Sequence, residues 1–142
     1  TNPSLLPTPR RVATGIDLNR LLLVCAVLTR HGRMSLANQD VVVNVTGGLR
    51  LSEPAADLGV ALAIASSLRN MPVAAGLAAV GEVGLSGEVR RVPQLQRRTD
   101  EVARLGLRVC LVPETPDQEH QYPKGFACTS VSTLVQAMSA SM

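Results

Sequence analysis

The stretch LSEPAADLGVALAIASSLRN, residues 51–70, decides the fold class of this chain. Pro54 suits the first turn of a helix, because the N–H that it lacks would be unpaired there in any case. From Ala55 onward the run is apolar nearly all round, which indicates a helix that is buried over most of its surface. Its many small residues allow close packing against a sheet. The stretch therefore predicts the central helix of a layered α/β domain.

Upstream of this helix, the sequence predicts another helix and a strand. Asp17 is a good N-cap, and apolar residues follow it at helical spacing as far as Gly32, so we expect a helix over about 17–31. The segment QDVVVNVTGGLRL, residues 39–51, is β-branched and alternating, and then turns at its glycine pair. This pattern predicts a strand with a bend or a short hairpin.

The first residues differ from the rest of the chain. Residues 1–15 contain three prolines and no hydrophobic periodicity, which predicts an irregular or extended lead-in. The folded domain is expected to span 16–142. Because a natural domain seldom begins with such a loop, we expect the chain to be a segment of a longer protein.

The second half alternates strands and helices. The expected elements are two strands over 77–92 joined through Gly84 to Gly87, a helix from Pro93 to Gly106, a strand over 107–113, a surface loop over 114–125, a strand over 126–131 and a helix over 132–138. Helices and strands thus follow one another along the whole chain. This order predicts a mixed α/β domain with a mixed sheet packed against helices.

The composition excludes several classes of function. Aromatic residues make up only 1% of the chain, so bases could stack only on Tyr122 or Phe126. Cys25, Cys110 and Cys128 lie far apart among apolar neighbours, which fits reduced, buried thiols of a cytosolic protein better than a disulfide framework or a metal site. The apolar runs are too short to span a membrane, so no membrane partner is expected.

Arginine dominates the charge of the chain. The net charge is +3, and thirteen of the fourteen basic residues are arginines. Because a guanidinium group binds phosphate in a bidentate manner, we expect these arginines to contact DNA. The alternative is a solvated surface or intersubunit pairing with Glu82, Glu88 or Asp100. The predicted DNA-binding residues are Arg10, Arg11, Arg20, Arg30, Arg90, Arg91, Arg97 and Arg98.

Several segments resemble known families. GEVGLSGEVRRVPQLQRRTDEVARLGLRVCLVP, residues 81–113, resembles the second half of the Lon protease proteolytic domain, and SEPAADLGVALAIASSLRNMPV, residues 52–73, resembles that family's nucleophile motif and its following helix. The segments containing GIDLNR and EPAADL are closer to the Lon-like C-terminal domain of the bacterial RadA (Sms) family of DNA-repair proteins. The resemblance covers 9–113 and implies an α+β fold of the ribosomal-protein-S5-domain-2-like type.

The resemblance also indicates where a Lon catalytic dyad would stand. When the family motif is aligned from MPV at 71–73, its serine falls on Ala55, and when it is aligned from Pro113, its lysine falls on Gln96. A serine hydroxyl needs an adjacent base to take its proton, and neither residue present can supply a nucleophile or a base. Ser52 and Ser86 have no suitable base nearby in the sequence. We therefore expect no catalytic residue and no protease activity in this segment.

Two carboxylates flank the motif of the central helix. Glu53 and Asp57 lie at the helix start, where negative charge complements the N-terminal dipole. The alternative is an ion pair with an arginine of a neighbouring subunit, since Lon-like domains form rings. Both interpretations are open at this stage, and we take the two residues as candidate interface residues.

The remaining expectations follow from the RadA resemblance. Such proteins carry a zinc finger and a RecA-like ATPase, but this chain has neither a CxxC pair nor a P-loop. We expect no cofactor here, with ATP, Mg and Zn implied for missing domains. The resemblance implies a homo-hexameric ring in the bacterial cytoplasm that contacts DNA, acts with the RecA recombinase and drives branch migration. The alternatives are a pure oligomerisation scaffold, an active Lon-type serine peptidase and a nucleotide-binding domain.

Overall fold

The computed structural model describes residues 1–47, 50–115 and 122–142. The strands are β1 (Asn2–Pro3), β2 (Arg11–Thr14), β3 (Gln39–Asn44), β4 (Leu77–Ala79), β5 (Glu82–Val83), β6 (Val89–Arg90), β7 (Val109–Pro113) and β8 (Ala127–Val131). The helices are α1 (Leu18–Arg30), α2 (Asp57–Arg69), α3 (Leu95–Arg104) and α4 (Leu134–Ser141), and a short 3-10 helix, Pro54–Ala56, leads into α2. The predicted α/β class is confirmed.

The strands form two three-stranded sheets and a hairpin. In the first sheet the order is β1-β3-β2, with β2 parallel and β1 antiparallel to β3. In the second sheet the order is β4-β7-β8, and both pairs are parallel. Strands β5 and β6 pair with each other in antiparallel orientation. The mixture of parallel and antiparallel pairing agrees with the mixed sheet that the sequence predicts, divided into separate parts.

Helix α1 agrees with its prediction to within one residue at each end. The Asp17 side chain accepts a hydrogen bond from the Asn19 N–H at 3.4 Å, as expected of an N-cap. Leu21, Val24 and Leu28 are fully buried along one face of the helix. This face anchors α1 on the core.

Helix α2 lies at the centre of the domain. Leu58, Ala61 and Ala65 are fully buried, and the helix contacts α1, α4, β4 and β5. It ends at Asn70, which adopts a left-handed conformation with φ 52°. The burial predicted from its all-round apolar sequence is confirmed. Within the described residues, neither α2 nor any other helix is long and apolar enough to cross a bilayer.

Part of the predicted lead-in belongs to the first sheet. Residues 11–14 form β2 and pair in register with 41–44 of β3. The sheet therefore extends across the expected domain boundary at residue 16. The partner strand lies 30 residues away, so no local periodicity could indicate this pairing.

The segment 77–92 contains three strands where the sequence predicts two. β4 joins β7, and only β5 and β6 form the predicted hairpin around Gly84 and Gly87. The chain leaves the second sheet at Gly81, where a Cβ atom would lie 2.6 Å from Cγ1 of Val89. Only glycine permits the hairpin to fold back this closely.

Two other sequence predictions lie partly outside the described residues. The turn expected at Gly47–Gly48 is described only at Gly47, which has a φ of 79°. The loop expected over 114–125 is described at its two ends, up to residue 115 and from residue 122.

The three cysteines are expected to react slowly in the folded protein. Burial raises the pKa of the Cys110 thiol to about 12, and it also raises the pKa of Cys25 and Cys128. A raised pKa leaves little thiolate, which is the reactive form. At pH 8, iodoacetamide should leave Cys110 unmodified in the native chain and label it fully in urea, as measured by mass spectrometry. Rapid native labelling of Cys110 would contradict its burial.

Candidate functional site

An open cleft of about 710 Å³ lies beside Ala55, and we call it the Ala55 cleft. It is bounded by the loop before α2, the short 3-10 helix, the end of β4 and helix α3. Its polar lining residues are Arg50, Ser52, Glu53, Gln94, Arg97, Arg98 and Glu101. Its apolar lining residues are Leu51, Ala55, Ala56, Ala79, Val80 and Val102.

Ala55, the predicted position of the Lon serine, lines this cleft. It is 7% exposed, and its carbonyl accepts a hydrogen bond from the Gly81 N–H at 3.0 Å. The backbone of the short 3-10 helix is therefore held firmly against the segment between β4 and β5. The methyl group of Ala55 has no chemistry to offer a substrate.

Gln96, the predicted position of the Lon lysine, does not line the cleft. Its Nε2 donates a hydrogen bond to Oδ1 of Asp100 at 3.0 Å, along the exposed side of α3. Gln94 lines the cleft in its place, with a left-handed φ of 57°. An amide is not a base at either position, so the cleft lacks a lysine-like group there.

Glu53 forms an ion pair within its own chain. Its Oε2 atom accepts a hydrogen bond from Arg98 at 2.6 Å, and Nε of Arg98 also donates to the Pro93 carbonyl at 3.0 Å. Arg98 therefore ties the loop before α2 to the start of α3. The candidate interface role of Glu53 stays a prediction, and its charge is already balanced without a partner.

Asp57 is the most deeply buried charged group of the site. It is 3% exposed, and Arg20 binds both of its oxygens, with Nε of Arg20 lying 3.3 Å from Oδ1. The Val83 N–H donates to Oδ2 at 3.2 Å, and Glu82 lies 3.8 Å from the same guanidinium group. The hydrogen bond with Asp57 raises the pKa of Arg20. Asp57 is the predicted interface residue and Arg20 the predicted DNA-binding residue. In the structure their ion pair connects α1 with α2, and the Val83 N–H connects Asp57 with β5.

Arg10 and Arg11 are also engaged in the fold. The Arg10 N–H donates to Oδ1 of Asp40 at 2.7 Å and thereby lowers the pKa of that carboxyl group. The Arg10 guanidinium lies 3.5 Å from the same carboxylate. The Arg11 guanidinium donates to the backbone carbonyls of Gln39 and Leu36. Arg11 therefore fastens the chain before β3, and little of its hydrogen-bonding capacity is left for a ligand.

The other predicted arginines are more available. Arg90 lies 3.6 Å from Glu88 with its side chain 56% exposed, and Nε of Arg91 donates to the Glu114 carbonyl at 3.3 Å. Arg30 and Arg97 are exposed and have no hydrogen bond or ion pair with the described part of the chain. Arg30 lines a separate groove between α1 and the β5–β6 hairpin.

The structure adds Arg50 to the candidate residues. Its side chain is exposed in the Ala55 cleft, opposite α3, and has no ion pair among residues 1–47, 50–115 and 122–142. Arg50 is not among the residues predicted from the sequence, because it stands alone in the chain, away from the arginine pairs. Its position two residues before the SEPAAD motif is the signal that could have indicated its role.

Comparison of the sequence with known proteins assigns the chain to a family. Residues 23–116 match the family model described as subunit ChlI of Mg-chelatase. The chain belongs to this family. The predicted resemblance to RadA is confirmed as well, so this member of the family is a domain like the C-terminal domain of RadA.

Curated relatives of this ChlI-family domain are bacterial proteins named DNA repair protein RadA. The chain is 43% identical to the protein of Halalkalibacterium halodurans over 99% of its own length and 45% identical to that of Escherichia coli over 96%. It is 52% identical to the Haemophilus influenzae protein over 78% of its length. These matches cover 31%, 29% and 24% of the relatives, so the chain spans less than a third of their length.

Proposed function

We propose that this chain is a non-proteolytic, Lon-like domain of a DNA repair protein and that it contacts DNA through unpaired arginines. One observation carries the proposal. Asp40, Glu53 and Asp57 are all taken up in ion pairs inside the chain. Arg30 and Arg97 remain exposed, with no partner in the described residues. The names of the relatives support a role in DNA repair.

The chemistry of the exposed surface favours contacts to phosphate. Guanidinium groups bind phosphate oxygens in a bidentate manner, and such contacts position a protein on DNA without reading its sequence. The aromatic residues are engaged elsewhere. Tyr122 packs edge-on against Phe126 at 5.0 Å, and its hydroxyl is hydrogen-bonded to Thr99 at 2.8 Å. Backbone contact is therefore favoured over stacking of bases on aromatic rings.

The lining of the Ala55 cleft supports a non-proteolytic role. Ser52 carries the hydroxyl group of this lining, and the carboxylates beside it are those of Glu53 and Glu101. Each carboxylate is bound to an arginine, Arg98 or Arg104. Arginine stays protonated in proteins, so no cleft residue is available to take the proton of the Ser52 hydroxyl.

The DNA contact is tested by fluorescence anisotropy with a labelled single-stranded oligonucleotide over a salt series. Log affinity should fall steeply as log salt rises, because bound arginines release counterions from the phosphates. In the Arg30→Gln/Arg97→Gln variant we expect the slope to become shallower by about 1.4, at about 0.7 for each lost contact. The affinity at low salt should fall about tenfold or more.

Arg69 provides a matched control for this experiment. It is exposed and stands at the last residue of α2, which runs for about 20 Å from the cleft end of the helix. Arg69→Gln removes one such charge, and it should change the slope by much less than the value of about 0.7 expected for each of Arg30 and Arg97. If Arg69→Gln changed the slope as much as the loss of Arg30 or Arg97, the binding would be general charge attraction, and the assignment to these two arginines would be overturned. If the unaltered chain bound no DNA at low salt, the proposal as a whole would be overturned.

The activity of the whole protein is proposed from the resemblance. We propose that the domain helps to assemble a homo-hexameric ring in the bacterial cytoplasm. Domains outside this chain would supply ATP hydrolysis with Mg and bind Zn. The full protein would act with the RecA recombinase to drive branch migration of recombination intermediates. A ring would repeat each arginine around its circumference and thereby strengthen a weak individual contact.

A scaffold without DNA contact is the second candidate, and one surface favours it. Val12 and Val42 are register partners on β2 and β3, and their exposed fractions are 41% and 62%. Such a pair on the outer side of the first sheet can be covered by another subunit. Measuring the mass in solution on the DNA-binding sample separates the candidates, since a scaffold predicts a ring that does not bind DNA.

A further inference from the structure

The Ala55 cleft carries positive charge that the residues described by the structure do not neutralise. Among the residues lining it, Glu53 is paired with Arg98. Glu101 is paired with Arg104, which is not one of the lining residues. Arg50 and Arg97 line the same cleft and have no such partner in the described chain. The cleft therefore offers two free guanidinium groups to an anionic ligand.

The inner surface of the cleft is apolar. Ala55, Ala79, Val80 and Val102 line it beneath the arginines. Its volume of about 710 Å³ lies within the range of about 300 to 1,000 Å³ that is usual for small-ligand sites. A cationic rim above an apolar floor suits a molecule that combines a phosphate group with a flat, weakly polar ring.

We propose that the Ala55 cleft receives one nucleotide of single-stranded DNA. Its phosphate lies between Arg50 and Arg97, and its sugar and base lie over the alanine and valine floor. This inference rests on the proposed function, and it deepens it by naming the form of DNA that the domain prefers. In a duplex the bases are stacked and paired, whereas a single strand can turn one base outward at little cost.

The remaining lining residues are suited to hold a base without an aromatic platform. A guanidinium plane can itself stack on a base, which either unpaired arginine can provide. The Ser52 hydroxyl and the Gln94 amide at the rim offer donors and acceptors for the edge of a base. Because the hydroxyl and amide groups can each donate or accept a hydrogen bond, they can pair with the edge of any base. We therefore expect little sequence preference.

An acidic peptide is the alternative occupant, since carboxylates would also pair with the two arginines. Such a peptide has no ring to place over the apolar floor. The DNA repair names of the relatives also favour a nucleotide. The peptide is therefore included as a competitor in the test.

The test compares the affinity of the 142-residue chain for a labelled 20-nucleotide thymidine strand and for a duplex of equal length. In Arg50→Gln/Arg97→Gln, single-strand affinity should fall about tenfold or more, with a salt slope shallower by about 1.4. Duplex affinity should fall by less than about threefold, because the stacked bases of a duplex cannot enter the cleft and its phosphates can still contact Arg30 and the other arginines outside it. Arg69→Gln serves again as the charge control.

A second variant blocks the cleft without changing its charge. Ser52 is exposed in the loop before α2, so Ser52→Leu can fill the cleft without disturbing the core. It should lower single-strand affinity about tenfold while the melting temperature stays that of the unaltered chain, as expected for exposed sites. Retained single-strand affinity in this variant would overturn the inference.

The other outcomes separate this inference from the proposed function. Equal weakening of single-strand and duplex binding by the double variant would overturn the cleft assignment and leave the proposed DNA contact standing. Binding of neither form by the unaltered chain would overturn both. Thymidine monophosphate and a polyglutamate peptide are added as competitors, at the same molar concentration of nucleotides or glutamate residues as the strand. If either displaced the strand, the assignment to a DNA strand would be overturned.

Discussion

Replacing Arg20 with methionine is expected to lower the free energy of unfolding by about 3 kcal/mol or more. The substitution removes the cation and keeps most of the side-chain volume. It leaves the Asp57 carboxylate, which is 3% exposed, buried with only the Val83 N–H to bind it. A charge deprived of its buried partner costs far more than the pair contributed. Urea unfolding followed by circular dichroism measures the change.

Arg10 provides the surface comparison for this prediction. Its ion pair with Asp40 spans 3.5 Å, and its side chain is 66% exposed. Arg10→Met should therefore cost less than about 1 kcal/mol. In the double variant Arg20→Met/Asp57→Asn, the loss should be smaller than the sum of the single losses, because the amide removes the unpaired charge. If Arg20→Met costs no more than Arg10→Met, the pair has no special structural role.

Replacing Leu58 with alanine should destabilise the chain by about 3 kcal/mol. Leu58 is fully buried in the first turn of α2, and its N–H donates to the Gly81 carbonyl at 3.1 Å. Its side chain lies against Gly81, where the chain passes from the second sheet into the hairpin. The rigid backbone on both sides prevents collapse, so the substitution should leave a cavity. The midpoint of urea unfolding should fall, with the m-value unchanged.

Leu85 is the matched control for Leu58. It stands in the hairpin turn and is 69% exposed. Leu85→Ala removes the same atoms from a site where water already reaches them, so unfolding should change by less than about 0.5 kcal/mol. Similar losses at the two positions would contradict the packing described for Leu58.

The helices were predictable because their signals are local. Asp17 and the apolar spacing after it locate α1, and the proline and small residues of 54–65 locate α2. The assignment of Ala55 to the site of the Lon serine stays a prediction, which rests on the resemblance of residues 52–73 to the family motif. Gln96 was less predictable, because the direction of its side chain depends on its hydrogen bond to Asp100.

The sheets were harder to predict because strand pairing joins distant residues. β2 gains its partner from β3, and β4 gains its partner β7 some 30 residues later. With four and three residues, β2 and β4 are too short to show an alternating pattern. Their backbone hydrogen bonds depend on where the helices place the two chain segments.

The availability of the arginines is the clearest case of a property that the sequence leaves open. All thirteen carry the same charge, but Arg20 is occupied by Asp57 from 37 positions away, and Arg98 by Glu53 from 45. Arg97, the neighbour of Arg98, lines the cleft and has no ion pair with the described residues. Adjacent helix positions point about 100° apart, so one finds a carboxylate and the other faces solvent.

The sequence by itself determined the α/β class, the helices and the excess of arginine, and the resemblance predicts Ala55 and Gln96 where Lon has its nucleophile and base. These depend on residue identity and on spacing within a few turns of chain. Only the tertiary structure decided which arginines are neutralised, that Arg50 and Arg97 share one cleft, and that β2 belongs to the first sheet. Coulomb energy and hydrogen bonding depend on distance in space, and folding alone brings these distant groups within reach of one another.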